Sequence, residues 1–247
     1  MEYRVLNLGD RAITFEFGSV ISKQVSHHVL GVHAQLKEKI AQNMVEGIIE
    51  TVPTFRSLTV HFDPLILFPE EVEAIVTPYI KEGNVVSLES AHWSFPVCYE
   101  GEYAPDLEDV AAETGLAIDE IVALHQKEKF DVFMLGFLPG FAFMGLLHER
   151  LQLPRRKEPR TVVPRGSVAI ADQLTAIYPT VSPGGWNLIG RTPIELFDIK
   201  RDEAALLKAG DRVGFHAVDE CEYEKIEAAV KAGEYSCRNE CLIKEVA

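Results

Sequence analysis

The chain has 247 residues, 47% of them hydrophobic and 25% charged, with 24 basic against 38 acidic side chains and a formal charge of −14. That length suits one large or two modest domains, and the composition supplies apolar material for proper cores and excludes a disordered chain. The acidic balance argues against nucleic acid, which draws proteins largely through its phosphates, and against anionic membrane surfaces.

No apolar run approaches the roughly 20 residues that cross a bilayer, and Met1-Glu2-Tyr3-Arg4 opens without a hydrophobic signal core, so a cytoplasmic location is expected. Cys98, Cys221, Cys237 and Cys241 are few for the length, which suits a reducing compartment. Cys237-x3-Cys241, with Cys221 upstream, has no fourth ligand at finger-like spacing, and no metal is expected.

Val5 to Asp10 and Ala12 to Gly18 read as a hairpin around a Gly-Asp turn. Ile21 to Lys39 has apolar residues at 25, 29, 32, 36 and 40, the spacing of an amphipathic helix with Ser22 as its cap. His27, His28 and His33 lie on or beside it; consecutive helical side chains diverge by about 100 degrees, so the histidine pair reads as helix surface rather than a ligand pair. Val45 to Pro53 and Leu58 to Phe62 suggest two further strands and Pro69 to Ile80 a second helix. The pattern ββαββα predicts an α+β domain over residues 1–88, with a linker at Gly83 to Ala91.

The second predicted domain covers 89–247. Trp93 to Tyr99 starts a strand, and Asp106 to Glu113 and Ala117 to Gln126 read as two helices broken at Thr114-Gly115. From Phe130 onward short apolar runs alternate with Gly and Pro: 132–135, 168–171, 175–178, 187–189 and 194–197. Many short punctuated strands imply a β-barrel or sandwich. Lys208 to Phe215 predicts a turn into a late strand, and Tyr223 to Lys231 a short helix.

Three segments between Gly136 and Pro193 carry the chemistry. Gly136-Phe137-Leu138-Pro139-Gly140-Phe141-Ala142-Phe143-Met144-Gly145 combines glycines that let backbone approach a ligand with rings that can cover one; it reads equally as a buried turn. Leu153 to Ser167 holds Arg155, Arg156, Lys157, Arg160 and Arg165 in a stretch stiffened by three prolines, a basic patch suited to carboxylate or phosphate. Tyr178 to Pro193 adds Gly184-Gly185, hydroxyls, an amide and Arg191. No P-loop, dinucleotide fingerprint or nucleophile elbow is present. Ser167 and Ser182 become nucleophiles only if a base such as His125 folds against them; turn-capping is the plainer role. His125 is itself an acid–base candidate, although a lone histidine near a helix end is often structural.

Gly136-Phe137-Leu138-Pro139-Gly140-Phe141, Pro159-Arg160-x3-Pro164-x-Gly166-Ser167-Val168-Ala169-Ile170 and Tyr178-Pro179-x2-Ser182-Pro183-Gly184-Gly185-Trp186-x-Leu188-Ile189-Gly190-Arg191-Thr192-Pro193 resemble the KipI / PxpB family, the B subunits of 5-oxoprolinase, also called allophanate hydrolase subunit 1. Gly9-Asp10, Val52 to Leu58, Asp63-Pro64 and Pro96 to Tyr99 extend the likeness over nearly the whole chain. The resemblance implies a small α+β domain followed by a cyclophilin-like β-barrel. It implies one component of an enzyme that opens 5-oxo-L-proline to L-glutamate with ATP, shared with Mg between subunits; its partners are the C subunit of 5-oxoprolinase and a LamB/YcsF-type A subunit. It also carries two alternatives: inhibition of a sporulation sensor histidine kinase, and a carboxyltransferase-like role on urea or allophanate. On the matched motifs, Arg160 and Arg191 are the catalytic candidates, with His125 beside them. Gly136, Phe137, Pro139, Gly140, Phe141, Arg165, Ser167, Ser182, Gly184, Gly185 and Trp186 are the candidates for contacting substrate. Phe143 stands where the family commonly has Tyr, and Arg165 where it has a small residue.

Overall fold

The computed structural model describes residues 1–82 and 90–239, which fall in two compact units; the expected linker lies, for residues 83–89, outside the described residues. In the first unit, β1 (Arg4–Asn7) and β2 (Ala12–Glu16) form the antiparallel hairpin, Gly9 turning it at φ +67°. Helix α1 (Lys23–Ala41) starts where Ser22 Oγ accepts the Val25 N–H at 3.1 Å. Strands β3 (Ile48–Pro53) and β4 (Ser57–Phe62) pair antiparallel and complete a sheet of order β1-β2-β4-β3. Helix α2 (Pro69–Glu82) begins with a proline, whose missing N–H costs nothing there, and Glu71 accepts from the Phe68 N–H at 2.8 Å. Alternation along β4 turns Leu58, Val60 and Phe62 inward to meet Val29 and Leu36 of α1 and Val72, Val76 and Ile80 of α2.

The second unit opens with β5 (His92–Val97), α3 (Leu107–Thr114) and α4 (Ile118–Lys127). Gly115, left-handed at φ +69°, ends α3. There follow β6 (Phe130–Leu135), β7 (Ala142–Gly145), β8 (Arg160–Val163), β9 (Ser167–Ala171), β10 (Leu174–Ile177), β11 (Ser182–Gly184), β12 (Asn187–Arg191), β13 (Arg212–Ala217), α5 (Glu220–Ala232) and β14 (Arg238–Asn239). The main sheet runs β12-β9-β10-β7-β6-β13-β5-β14, with β13 and β5 parallel. A bridge between Cys98 and Arg191, whose amides and carbonyls exchange two 2.9 Å bonds, joins the end of β5 to β12. Seven strands therefore form a nearly closed barrel, and β14 occupies the other end of that β5 edge through Trp93 and His92. Phe95, Phe130, Val132, Met144, Ile170, Ile177, Ile189 and Val213 fill the interior.

Two features depart from the sequence reading. Residues 194–197 are not a strand: the Ile194 amide turns to Thr192 Oγ1 at 3.4 Å, and only Phe197 makes a bridge, to Ala205. The second half of the Gly/Phe segment is a strand, β7, held between β6 and β10, and β8 and β11 pair as a separate two-stranded ribbon.

Candidate functional site

The basic segment is organised by a carboxylate that the motif reading passed over. Asp106 stands at the N-terminal boundary of α3, yet its side chain makes no cap bond. It is 1% exposed, its Oδ2 accepts the Leu188 N–H at 2.7 Å, and its Oδ1 takes Arg156 Nη1 at 2.8 Å and Arg160 Nη2. Its own N–H donates to the Leu188 carbonyl at 3.1 Å. One buried acid thus fastens α3, the 154–160 segment and β12 together. Arg156 continues to Asp109 at 3.0 Å, and its backbone N–H donates to Gly185 O at 2.7 Å. Arg160 keeps a buried Nη1 with no partner among the described residues.

The glycines and aromatics form the adjoining wall. Phe141, fully buried, has ring centroids within 4.9–6.1 Å of Phe143, Tyr178, Phe137 and Trp186. Gly184 lies so close to the Tyr178 hydroxyl that a Cβ there would collide with it. Gly166 combines φ +80° with a backbone carbonyl, that of Thr192, where a Cβ would sit. Gly140, also left-handed, packs on Phe197, while Gly136 lies against Met134. Phe137 and Pro139 are exposed, and Phe137 holds φ +68°. Phe141 is core and Phe143 half-buried, so the loop presents one of its three phenylalanines to solvent.

The remaining candidates are dispersed. Arg165 pairs with Glu195 at 2.7 Å, and Arg191 lies 5.2 Å over the Tyr103 ring, donates to the Glu102 carbonyl at 3.3 Å and keeps a buried Nε without a partner among the described residues. Ser167 is buried at the start of β9; Ser182 Oγ donates to the Pro183 carbonyl at 3.2 Å. Neither serine is a partner of His125, which lies fully buried in the barrel, stacked 4.5 Å from Phe215. Thr175 Oγ1 donates to Ala169 O at 3.1 Å, so His125 Nε2 donates to Thr175 at 3.1 Å and its Nδ1 accepts from Tyr99 at 2.8 Å. Burial pushes the imidazole down to about 3 and the Tyr99 phenol up. Of the two roles the sequence left open to His125, its burial and the hydrogen bonds at both nitrogens fit the structural one rather than acid–base work.

Beside the Asp106 knot opens a cleft of about 490 Å³. Asp109 and Glu113 of α3 line it, with Arg155, Arg156, Lys157 and Glu158 of the basic segment, and Asn187 of β12. In sequence Asn187 was visible only as the amide of the Tyr178 to Pro193 segment, at a position the family motif leaves open; Asp106 and Asp109 look like ordinary acids of a helix start and Glu113 like one near a helix end. Cys98 is buried and Cys221 exposed, and Cys241 lies outside the described residues. Among the described residues no helix is long and apolar enough to cross a membrane.

Residues 3–207 match the family described as carboxyltransferase domain, subdomain C and D. The B subunit of 5-oxoprolinase from Bacillus subtilis (strain 168) is 37% identical over 90% of this chain and 96% of its own length, and that of Escherichia coli O157:H7 is 41% identical over 72% and 82%. The chain belongs to the family of 5-oxoprolinase B subunits. Its fold recurs in the crystal structure of the K. lactis urea amidolyase, at TM-score 0.77 and 20% identity over 96% of this chain and 16% of that much longer one.

Proposed function

We propose that this chain is the B subunit of an ATP-dependent 5-oxoprolinase, opening 5-oxo-L-proline to L-glutamate together with the A and C subunits. The observation that carries the reading is its identity of 37% and 41% to two bacterial proteins of that name, over most of their lengths. A lactam is a resonance-stabilised amide, and ATP supplies, when bound, the activation that makes its carbonyl open to water. The cleft does not fit a polyphosphate, because Arg155, Arg156 and Lys157 are matched there by Asp109, Glu113 and Glu158. On this reading Mg-ATP is held in the assembly, with residues of the partner subunits. Arg160, held from behind by Asp106, retains a donor at Nη1 for a substrate oxygen that gains charge, and Arg191 Nε is the second candidate. His125 takes no part in proton transfer on this reading. The histidine-kinase alternative called for a surface of exposed phenylalanines, and Phe141 is buried.

ATP-dependent glutamate release from 5-oxo-L-proline is the test, with the chain alone, with its partner subunits, and with each partner omitted. Glutamate from the full mixture only is the expected result. No glutamate from any mixture of folded subunits sinks the reading. Unchanged turnover in both Arg160→Ala and Arg191→Ala complexes removes the roles given to the two arginines.

A further inference from the structure

The cleft beside Asp106 has a lining that is balanced in charge but not paired within itself. Arg156 is spent on Asp106 and Asp109. Arg155 and Lys157 have no ion-pair or hydrogen-bond partner among the described residues, and neither have Glu113 and Glu158. Two cations and two carboxylates without a hydrogen bond or ion pair of their own thus line one cavity, Glu113 standing within electrostatic reach of Arg156. Its volume, about 490 Å³, lies within the roughly 300–1,000 Å³ of small-molecule sites.

Asn187 adds a fixed polar atom. It is 7% exposed, and its Nδ2 donates to the Pro154 carbonyl at 3.1 Å and the Ile170 carbonyl at 3.4 Å. Both amide hydrogens are therefore committed, which sets the orientation of the amide and leaves Oδ1 as an acceptor with no partner among the described residues. An acceptor held in this way, among carboxylates, calls for an N–H donor, and a charged one is favoured over a neutral one. Arg155 and Lys157 call for a carboxylate on the same ligand.

We infer that this cleft binds an α-amino acid as its zwitterion, the ammonium at Asn187 Oδ1 with Glu113 and Glu158, and the carboxylate at Arg155 and Lys157. The buried Asp106, through Arg156 and the Leu188 amide, holds the two walls in register for it. A lactam, whose nitrogen carries no charge, meets only half of this lining. The lining charges carry this assignment independently of the reaction proposed above. Where that reaction also holds, the amino-acid product L-glutamate is a natural occupant and the site a place for product retention or feedback.

Isothermal titration of the full chain with L-glutamate, glutarate and 5-oxo-L-proline reads binding without turnover, so its outcome is separate from that of the glutamate-release assay. L-Glutamate is expected to bind, and glutarate and 5-oxo-L-proline, which lack the ammonium, about tenfold or more weaker. Arg155→Gln and Glu113→Gln, both at exposed positions, should each weaken L-glutamate about tenfold while leaving the thermal midpoint in place. Glutarate binding as tightly as L-glutamate, affinity unchanged in both variants, or no saturation by L-glutamate in the millimolar range would each overturn the assignment.

Discussion

The two units use buried polarity in opposite ways. In the first, Ser26 is the buried polar side chain among the described residues, and its Oγ has no hydrogen-bond partner. In the second, Asp106, His125, Asp131, Thr175, Asn187 and Asp211 are all buried, and Asp106, His125, Asn187 and Asp211 each tie distant segments together. Asp211 accepts from the Ala91 N–H at 3.0 Å and Trp93 Nε1 at 2.9 Å, and His125 links Tyr99 to Thr175. The core of the first unit rests on apolar periodicity, and its polar bonds, such as His33 to Thr51 and Thr14 to Thr59, lie at part-buried positions. The second incurs the desolvation of polar groups and gains from them a fixed arrangement of donors and acceptors.

Removing Asp106 tests that contrast hardest. Asp106→Ala leaves Arg160 and the Leu188 N–H without their acceptor and Arg156 with Asp109 alone, and stability in urea should fall by about 4 kcal/mol. A loss below about 1 kcal/mol would mean that the knot is a solvated cluster and that β12, α3 and the basic segment are held by packing. Asp106→Asn, which keeps the size and one acceptor, should lose less and should still weaken ligand binding in the cleft.

The next largest effect is a dependence on pH. His125 is buried neutral with its folded value down at about 3, against about 6.5 unfolded, so the unfolded chain binds the extra proton first. Stability from this site is complete above about pH 6.5 and declines as pH falls toward 3, by about 2 kcal/mol at pH 5. His33, bonded to Thr51 at 2.7 Å in the first unit and held down to about 4 by burial and by Lys37, adds a loss of the same sign. His125→Gln should flatten the slope of denaturant midpoint against pH between 6.5 and 5. An unchanged slope would mean that the imidazole is not enclosed.

Most of the fold was legible because it is local. The Ser22 cap, the inward alternation of Leu58, Val60 and Phe62, and the Gly115 stop are each written within a few residues. Sequence failed where a partner lies far along the chain. Strand β7 exists because β6 and β10 flank it, and its own Phe- and Gly-rich composition reads as loop. Asp106 looks like a helix-start acid until Leu188, 82 positions away, comes beside it. The candidate arginines were visible as residues, but Arg160 and Arg156 converge on one carboxylate while Arg165 goes to Glu195 and Arg191 to Tyr103. His125 was singled out by residue type, and burial, which decides its chemistry, is a property of the assembled barrel.

A smaller effect of opposite sign is expected in the first unit. Ser26→Ala removes a buried hydroxyl that has no partner and replaces it with the best helix former, so stability should rise by about 1 kcal/mol. A decrease would show that the hydroxyl is satisfied in solution, by water or by its own helix, and would bring the two units closer in kind.

The smallest change concerns Phe137, which is 64% exposed and holds a left-handed φ that bulky residues avoid. Phe137→Gly relieves that conformation and forfeits the edge contact with Phe141 at 5.4 Å, while the freer unfolded chain offsets part of the relief. These contributions nearly cancel, and the thermal midpoint should correspond to a change within about 0.5 kcal/mol. A stability loss above about 2 kcal/mol would instead make Phe137 an outlying member of the Phe141 core, and the loop a structural turn.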